Sequence, residues 1–241
     1  MSVTFTPTTL GSASGILTLT DSALTSPQTV SLTGTGSLPV TFSPGSLSFS
    51  STALGNTSAA RTVTATNRQT VTLNIASITT SAGFSVASST CGASLASGAS
   101  CTVGVTFSPT TLGSITGAFT FSDDAPNSPQ TVGLSGTGVA PVTLSSSSLS
   151  FWTVSVGTTS AAKTVTVSNR QNVALSLGSI AAGVPFAVAS TTCGASLAAG
   201  ANCSVTATFS PTATGSVTET LTFVDSAVTS PQVVSLSGTG Q

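Results

Sequence analysis

The chain has 241 residues, but only nine are charged, four Lys or Arg and five Asp or Glu, and it contains no His or Tyr. Enzymes that transfer protons near neutral pH depend on such side chains, so we expect no enzymatic activity and assign no catalytic, cofactor-binding or metal-binding residues. A net charge of -1 cannot neutralise a phosphate backbone, and no apolar run approaches the roughly 18 residues of a membrane helix. We therefore expect neither a nucleic acid partner nor a membrane span.

An internal repeat with an offset of 102 residues organises the chain. Its clearest marker is a nine-residue string, VTFTPTTLG in the first copy, that recurs with few changes at 3–11, 105–113 and 207–215. On this basis we divide the chain into a partial module, residues 1–36, and two whole modules, 37–138 and 139–241. The partial module matches only the last third of a whole one.

Each whole module is predicted to be all-β, because apolar and hydroxyl residues alternate with a period near two and no helical period appears. Within module 37–138 we predict strands at 39–42, 46–50, 60–66, 70–77, 84–89, 101–107, 115–122 and 129–135. Seven or eight short strands in about 100 residues are typical of an immunoglobulin-like β-sandwich, with a β-barrel as the alternative. Gly136-Thr137-Gly138 is expected to lead into a linker of a few residues, which would make the array a stiff rod.

Two cysteine pairs share one spacing, Cys91 with Cys101 and Cys193 with Cys203. Each pair flanks a Gly- and Ser-rich loop between predicted strands, and a hairpin there brings the Cα atoms to disulfide distance. Free thiols are the alternative, and two sulfurs without His are too few for a closed zinc site. We predict a disulfide within each module, and therefore an exported protein. No signal peptide is recognisable, so we expect that it was removed or that the chain belongs to a longer one.

The cysteine segment and its surroundings resemble a known family. The string FxVxSxTCGxSLAxGAxC, then VxFSPTxxGS and TFxDxAxxSPQxVxLSGTG, are similar to the bacterial choice-of-anchor D repeats, which are relatives of the abnormal-spindle and Hydin (ASH) domains. The resemblance covers essentially the whole chain. It implies a seven-stranded sandwich used in tandem in large secreted or surface-anchored bacterial proteins, and it implies no catalytic or cofactor residues.

The few charged residues and the one tryptophan have ordinary structural interpretations. We expect Asp21, Asp123, Asp124 and Asp225 to cap turns, because each module supplies too few carboxylates there for calcium. The cations Arg61, Arg68, Lys163 and Arg170 are expected at solvated positions, with a contact between modules as the alternative. Trp152 is expected to be a packing residue, since a chain without Tyr is poorly supplied for sugar stacking.

The partial module is the most informative segment for function. Two or three strands alone are marginally stable in water, and unpaired edges invite another chain. We therefore predict that its apolar residues form an assembly surface, namely Phe5, Leu17, Leu19, Val30 and Leu32. The alternative is that residues 1–36 are the cropped end of a longer array.

Two functions follow from this organisation. The first is a structural protein of an extracellular filament, sheath or surface layer that self-associates through β-strand contacts. The second is the stalk of a bacterial cell-surface adhesin whose binding domain lies elsewhere. The 45 Ser and 46 Thr leave little charge to keep monomers apart, and they suit a surface covered by copies of the chain or by O-linked glycans.

Overall fold

The structure, a computed structural model, describes all 241 residues and contains 21 strands and no helix. The prediction of an all-β fold is confirmed. The chain begins with a two-stranded hairpin, β1 (Gly11–Leu19) and β2 (Gln28–Gly36), whose strands are antiparallel. Two β-sandwiches follow it along the chain.

The first sandwich contains ten strands in two facing sheets. In chain order they are β3 (Val40–Ser43), β4 (Ser46–Ser48), β5 (Thr52–Ala53), β6 (Arg61–Asn67), β7 (Leu73–Thr80), β8 (Phe84–Ser89), β9 (Ser94–Leu95), β10 (Ser100–Phe107), β11 (Gly113–Asp123) and β12 (Gln130–Val139). One sheet has the order β3-β6-β10-β8, and the other has the order β4-β12-β11-β7-β9, with β5 also beside β12.

The second sandwich repeats this topology with nine strands. They are β13 (Val142–Leu144), β14 (Ser148–Val154), β15 (Lys163–Asn169), β16 (Leu175–Ala182), β17 (Phe186–Thr191), β18 (Ser196–Leu197), β19 (Asn202–Phe209), β20 (Gly215–Asp225) and β21 (Gln232–Gly240). Its sheets have the orders β13-β15-β19-β17 and β14-β21-β20-β16-β18. Since β14 is continuous, it replaces both β4 and β5 of the first sandwich.

Each sandwich encloses its own core of 17 buried residues. The cores form because every second residue of a strand points to the same face, so Val63 and Ala65 of β6 face Phe119 and Phe121 of β11 across the gap between the sheets. All four of these side chains are at most 1% exposed. The hairpin contributes no residue to either core.

Most predicted strands agree with the structure to within a few residues, and the differences have local causes. The strand predicted at 70–77 begins only at Leu73, because residues 68–72 form the turn that Asn67 stabilises. The strands β5 and β9 were not predicted, because each has only two residues, which are too few to show a period. The strand predicted at 129–135 continues to Val139.

The segment that was expected to lead into the linker between the sandwiches is itself part of a strand. Gly136-Thr137-Gly138 lies within β12, where Gly138 is the parallel partner of Thr52. Glycine is required there for packing, because a Cβ on Gly136 would lie 2.6 Å from the Phe107 ring. Only Ala140 and Pro141 separate β12 from β13.

Candidate functional site

The hairpin has the same local geometry as the last third of each sandwich. Its strands pair from Gly11 with Gly36 to Leu19 with Gln28, and the register of β11 with β12 is the same after a shift of 102 residues. Phe5 lies over Gly34, where an added Cβ would be 2.7 Å from the phenyl ring. The hairpin is thus a correctly formed part of a sandwich without the remaining strands.

The five predicted assembly residues lie on one face of this hairpin, which we call the open face. Leu17 is the cross-strand partner of Val30, and Leu19 and Leu32 lie two residues away on the same sides of their strands. Phe5, Leu19 and Val30 are 52%, 55% and 57% exposed, respectively, and the other two are half-buried.

The residues at the corresponding positions of both sandwiches are buried. Ten residues occupy them, and none is more than 3% exposed: Phe107, Phe119, Phe121, Val132 and Leu134 in the first sandwich, and Phe209, Leu221, Phe223, Val234 and Leu236 in the second. In each sandwich these residues lie between the two sheets, whereas no second sheet lies against the hairpin. The five apolar side chains of the open face are therefore an unusual feature in a chain whose other sheets are each closed by a partner.

A cleft of about 320 Å³ lies beside Phe5 on the open face, and Gly15, Leu32 and Gly34 line it. No atom lies within 4 Å of a Cβ built on Gly15. At the corresponding Gly117, such a Cβ would lie 3.1 Å from Phe84 of the facing sheet. The cleft is thus the space that an aromatic ring fills in the first sandwich.

The sequence prediction missed the backbone edge of this site. In the first sandwich β12 lies between β11 and β4, and in the second β21 lies between β20 and β14. The hairpin strand β2 pairs only with β1, so one edge of β2 is unpaired. The repeated string Ser-Leu-Ser-Phe at 46–49 and 148–151 was the signal that could have revealed it, because this string pairs with β12 and with β21.

The cysteines are joined within their own sandwiches, Cys91 to Cys101 and Cys193 to Cys203, with Cα atoms 5.0 Å apart in each pair. No cysteine is free. Disulfides of this kind are typical of oxidising compartments.

The aspartates lie at the ends of strands or in the turns that follow them. Asp21, Asp123 and Asp225 each accept a hydrogen bond at 2.8 Å from the N–H group two residues later. Asp124 instead accepts hydrogen bonds from the backbone and the side-chain amide of Asn74, which lower its pKa in that order of importance. Burial raises the pKa of Asp225. No three His, Cys, Asp or Glu side chains are grouped so that they could hold a metal ion.

Trp152 corrects one prediction, because it is 74% exposed and does not pack in a core. It lies at an irregularity of β14 between Ser150 and Thr153 and has a φ of 56°. This backbone conformation turns its side chain outward, while Phe151 is buried.

The cations lie mainly at the surface. Arg61, Arg68 and Arg170 are exposed and Lys163 is half-buried. Arg61 and Arg170 also line one cleft of about 600 Å³ between the sandwiches, which agrees with the alternative that cations lie at a contact between modules.

The fold and the disulfides define a class of protein, namely tandem immunoglobulin-like β-sandwiches. The model of the ASH family (Abnormal spindle-like microcephaly-assoc'd, ASPM-SPD-2-Hydin) matches residues 35–131 and 139–233. The chain belongs to the ASH family. This is a binding or structural fold.

Three solved structures are similar to this chain at low sequence identity and low TM-score. A protein of unknown function from Porphyromonas gingivalis W83 is 12% identical with a TM-score of 0.37, and 83% of this chain and 99% of that chain are covered. The ASH/PapD-like domain 7 of human CEP192 is 18% identical with a TM-score of 0.34, and 42% and 85% are covered. The YadV chaperone is 8% identical with a TM-score of 0.32, and 83% and 100% are covered.

These similarities are too low to bear on function. A search of curated proteins gives no match. No helix of the structure is long and apolar enough for a membrane crossing.

Proposed function

We propose that this chain is a non-catalytic structural repeat protein of a bacterial extracellular filament, sheath or surface layer, whose chains associate through β-strand contacts. The observation that carries the proposal is the open face. At repeat positions that are buried in both sandwiches, three of its five apolar residues are exposed and two are half-buried. Burying a Leu, Val or Phe side chain contributes about 1.5–3 kcal/mol, so covering this face favours association.

The composition and the disulfides support the same function. With nine charged residues in 241, the chain has little electrostatic repulsion to oppose contact with its own copies. The two disulfides suit an exported protein. An array of closed sandwiches joined by Ala140 and Pro141 leaves few residues through which neighbouring units can bend.

A second candidate function is the stalk of a cell-surface adhesin. The observation that favours it is that both sandwiches are closed, with 17 core residues each, and need no partner for stability. A stalk needs only such units in series.

Sedimentation of the full chain and of residues 37–241 distinguishes the two functions. The shorter chain retains both closed cores and lacks the hairpin. The structural function predicts concentration-dependent polymers for the full chain and monomers for residues 37–241. Monomers in both cases would favour the stalk, and equal polymers would show that the hairpin is not the joint.

A further inference from the structure

We infer that the cleft between the two sandwiches is a binding site for an acidic saccharide, whose carboxylate or sulfate group Arg61 and Arg170 bind together. The inference goes beyond the proposed function and does not depend on it, since no residue of the hairpin lines this cleft. It comes from where the few cations of the chain lie.

All four cations of the chain occur at only two positions of the repeat. Arg61 and Lys163 are separated by the repeat offset, and so are Arg68 and Arg170. The first position begins β6 and β15, and the second directly follows the end of each strand. Since these strands have seven residues, the two cations of one sandwich lie about 23 Å apart. They are too distant to bind one small anionic group.

The junction between the sandwiches brings one cation of each kind to the same place. Arg61 of the first sandwich and Arg170 of the second line one cleft. The Arg170 N–H donates to the Pro141 carbonyl at 2.8 Å, which holds this turn at the junction. The sandwiches also touch at Gly55, where an added Cβ would lie 3.1 Å from the Val228 side chain. The packing of the two sandwiches therefore positions both arginines.

No carboxylate neutralises the two arginines within the cleft. The other twelve residues that line it are uncharged. The Arg170 Nε donates to Thr143 Oγ1 at 3.5 Å, which uses only one of its several N–H donors. Guanidinium groups bind oxyanions through paired N–H donors. An oxyanion in the cleft would therefore supply the missing negative charge and accept hydrogen bonds from both sandwiches.

The size and the lining of the cleft favour a sugar that carries the anionic group over a free ion. Its volume of about 600 Å³ lies within the range of roughly 300–1,000 Å³ that is usual for organic ligands. Eight of the uncharged lining residues have hydroxyl or amide side chains, among them Ser51, Gln171 and Asn172. Such groups exchange hydrogen bonds with sugar hydroxyl groups. The two disulfides suit a compartment outside the cytosol, where acidic polysaccharides are common polyanions.

The test is isothermal titration calorimetry of the full chain at low salt with a short oligogalacturonate and with a sulfated dextran oligosaccharide. At least one of them should bind saturably at a single site per chain, and the tighter one identifies the preferred oxyanion. Binding should weaken as salt is added, because salt screens the attraction of the charges. An uncharged dextran oligosaccharide should not bind measurably, because it lacks the group that the arginines recognise.

Two double variants locate the site. Arg61→Gln/Arg170→Gln removes both guanidinium groups from the cleft and should weaken binding at least about tenfold. Arg68→Gln/Lys163→Gln is the matched control, because it removes the same charge at the same two repeat positions, and neither residue lines the cleft. Its affinity should be that of the parent. Each single variant at Arg61 or Arg170 should lose part of the affinity, and thermal denaturation checks that the variants remain folded.

Three results would overturn the inference: no saturable binding of either charged saccharide, an equal loss of affinity in the two double variants, or tighter binding of poly-glutamate than of both saccharides. The last result would identify an acidic polypeptide as the occupant. Residues 37–241 contain the whole cleft, so they should bind as the full chain does, and a loss of binding on removal of the hairpin would also contradict the site. A chain that polymerises without binding either saccharide would contradict this inference and leave the proposed function standing.

Discussion

Asn67 is a buried polar residue that connects three segments of the first sandwich. It is fully buried, its Nδ2 donates to the carbonyls of Val71, Leu95 and Ala96 at 2.9–3.1 Å, and its Oδ1 accepts from the Gln69 N–H. The corresponding asparagine of the second sandwich makes the same set of bonds. From the sequence we predict only a turn at this position, because the identity of a polar residue does not indicate whether its side chain is buried.

Asn67→Ala should lower the free energy of unfolding of the first sandwich by about 2–3 kcal/mol, because it leaves buried carbonyl groups without a donor. Urea denaturation measures the change. Asn172→Ala is the control, since Asn172 is exposed, and it should have little effect. Equal stability of both variants would contradict this role of Asn67.

Asp225→Asn should change how stability depends on pH. Burial raises the pKa of Asp225 above 3.8 in the folded state, so the folded protein binds a proton more tightly than the unfolded chain. The stabilisation by this proton is complete below pH 3.8 and is lost as the pH rises through the folded pKa. Relative to the parent, the Asn variant should therefore gain stability between acid and neutral pH.

Thermal denaturation of the two proteins across that range tests this difference. In the Asn variant, the side-chain oxygen can still accept the hydrogen bond from the Ala227 N–H. The amide nitrogen replaces Oδ2 of Asp225, which has no hydrogen-bond partner. A constant difference between variant and parent at all pH values would contradict the raised pKa.

At the scale of elements, the strands that enclose a core could be predicted from the sequence, but the pairing of the strand edges could not. The period of two located β6 and β10 because one face of each is buried. It located the apolar residues of the hairpin because the hairpin repeats the alternation of β11 and β12, whose inner face is buried. It gave no information on pairing, so the unpaired edge of β2 and the extension of β12 through Gly138 required the structure.

Phe5 and Phe107 occupy the same position of the repeat, but Phe5 lies on the open face and Phe107 is buried in the core of the first sandwich. Phe107→Ala should destabilise the first sandwich by about 3–5 kcal/mol, as expected for a fully buried phenylalanine. Phe5→Ala should leave both sandwich transitions unchanged, because Phe5 is 52% exposed, and should weaken self-association. Calorimetry and sedimentation of both variants measure these effects, and a loss of sandwich stability in Phe5→Ala would contradict the assignment.

For the whole molecule, the repeat predicts an elongated array. The structure has two separate cores joined by Ala140 and Pro141, and the elongation stays a prediction. A compact chain of this length has a radius of gyration of about 18 Å. Small-angle scattering of residues 37–241 should give a clearly larger value than a compact protein of its size. A compact scattering profile would show that the sandwiches fold back on each other.

The measurement that most directly tests the central claim is sedimentation velocity of the Leu17→Asp/Val30→Asp variant beside Ile16→Asp. The two variants alter the same hairpin, but Ile16 is 69% exposed on the opposite side of β1. If chains associate through the open face, the double variant should remain monomeric over the concentration range in which the parent and Ile16→Asp form polymers. Polymers of the double variant at the parent's concentrations would contradict the account.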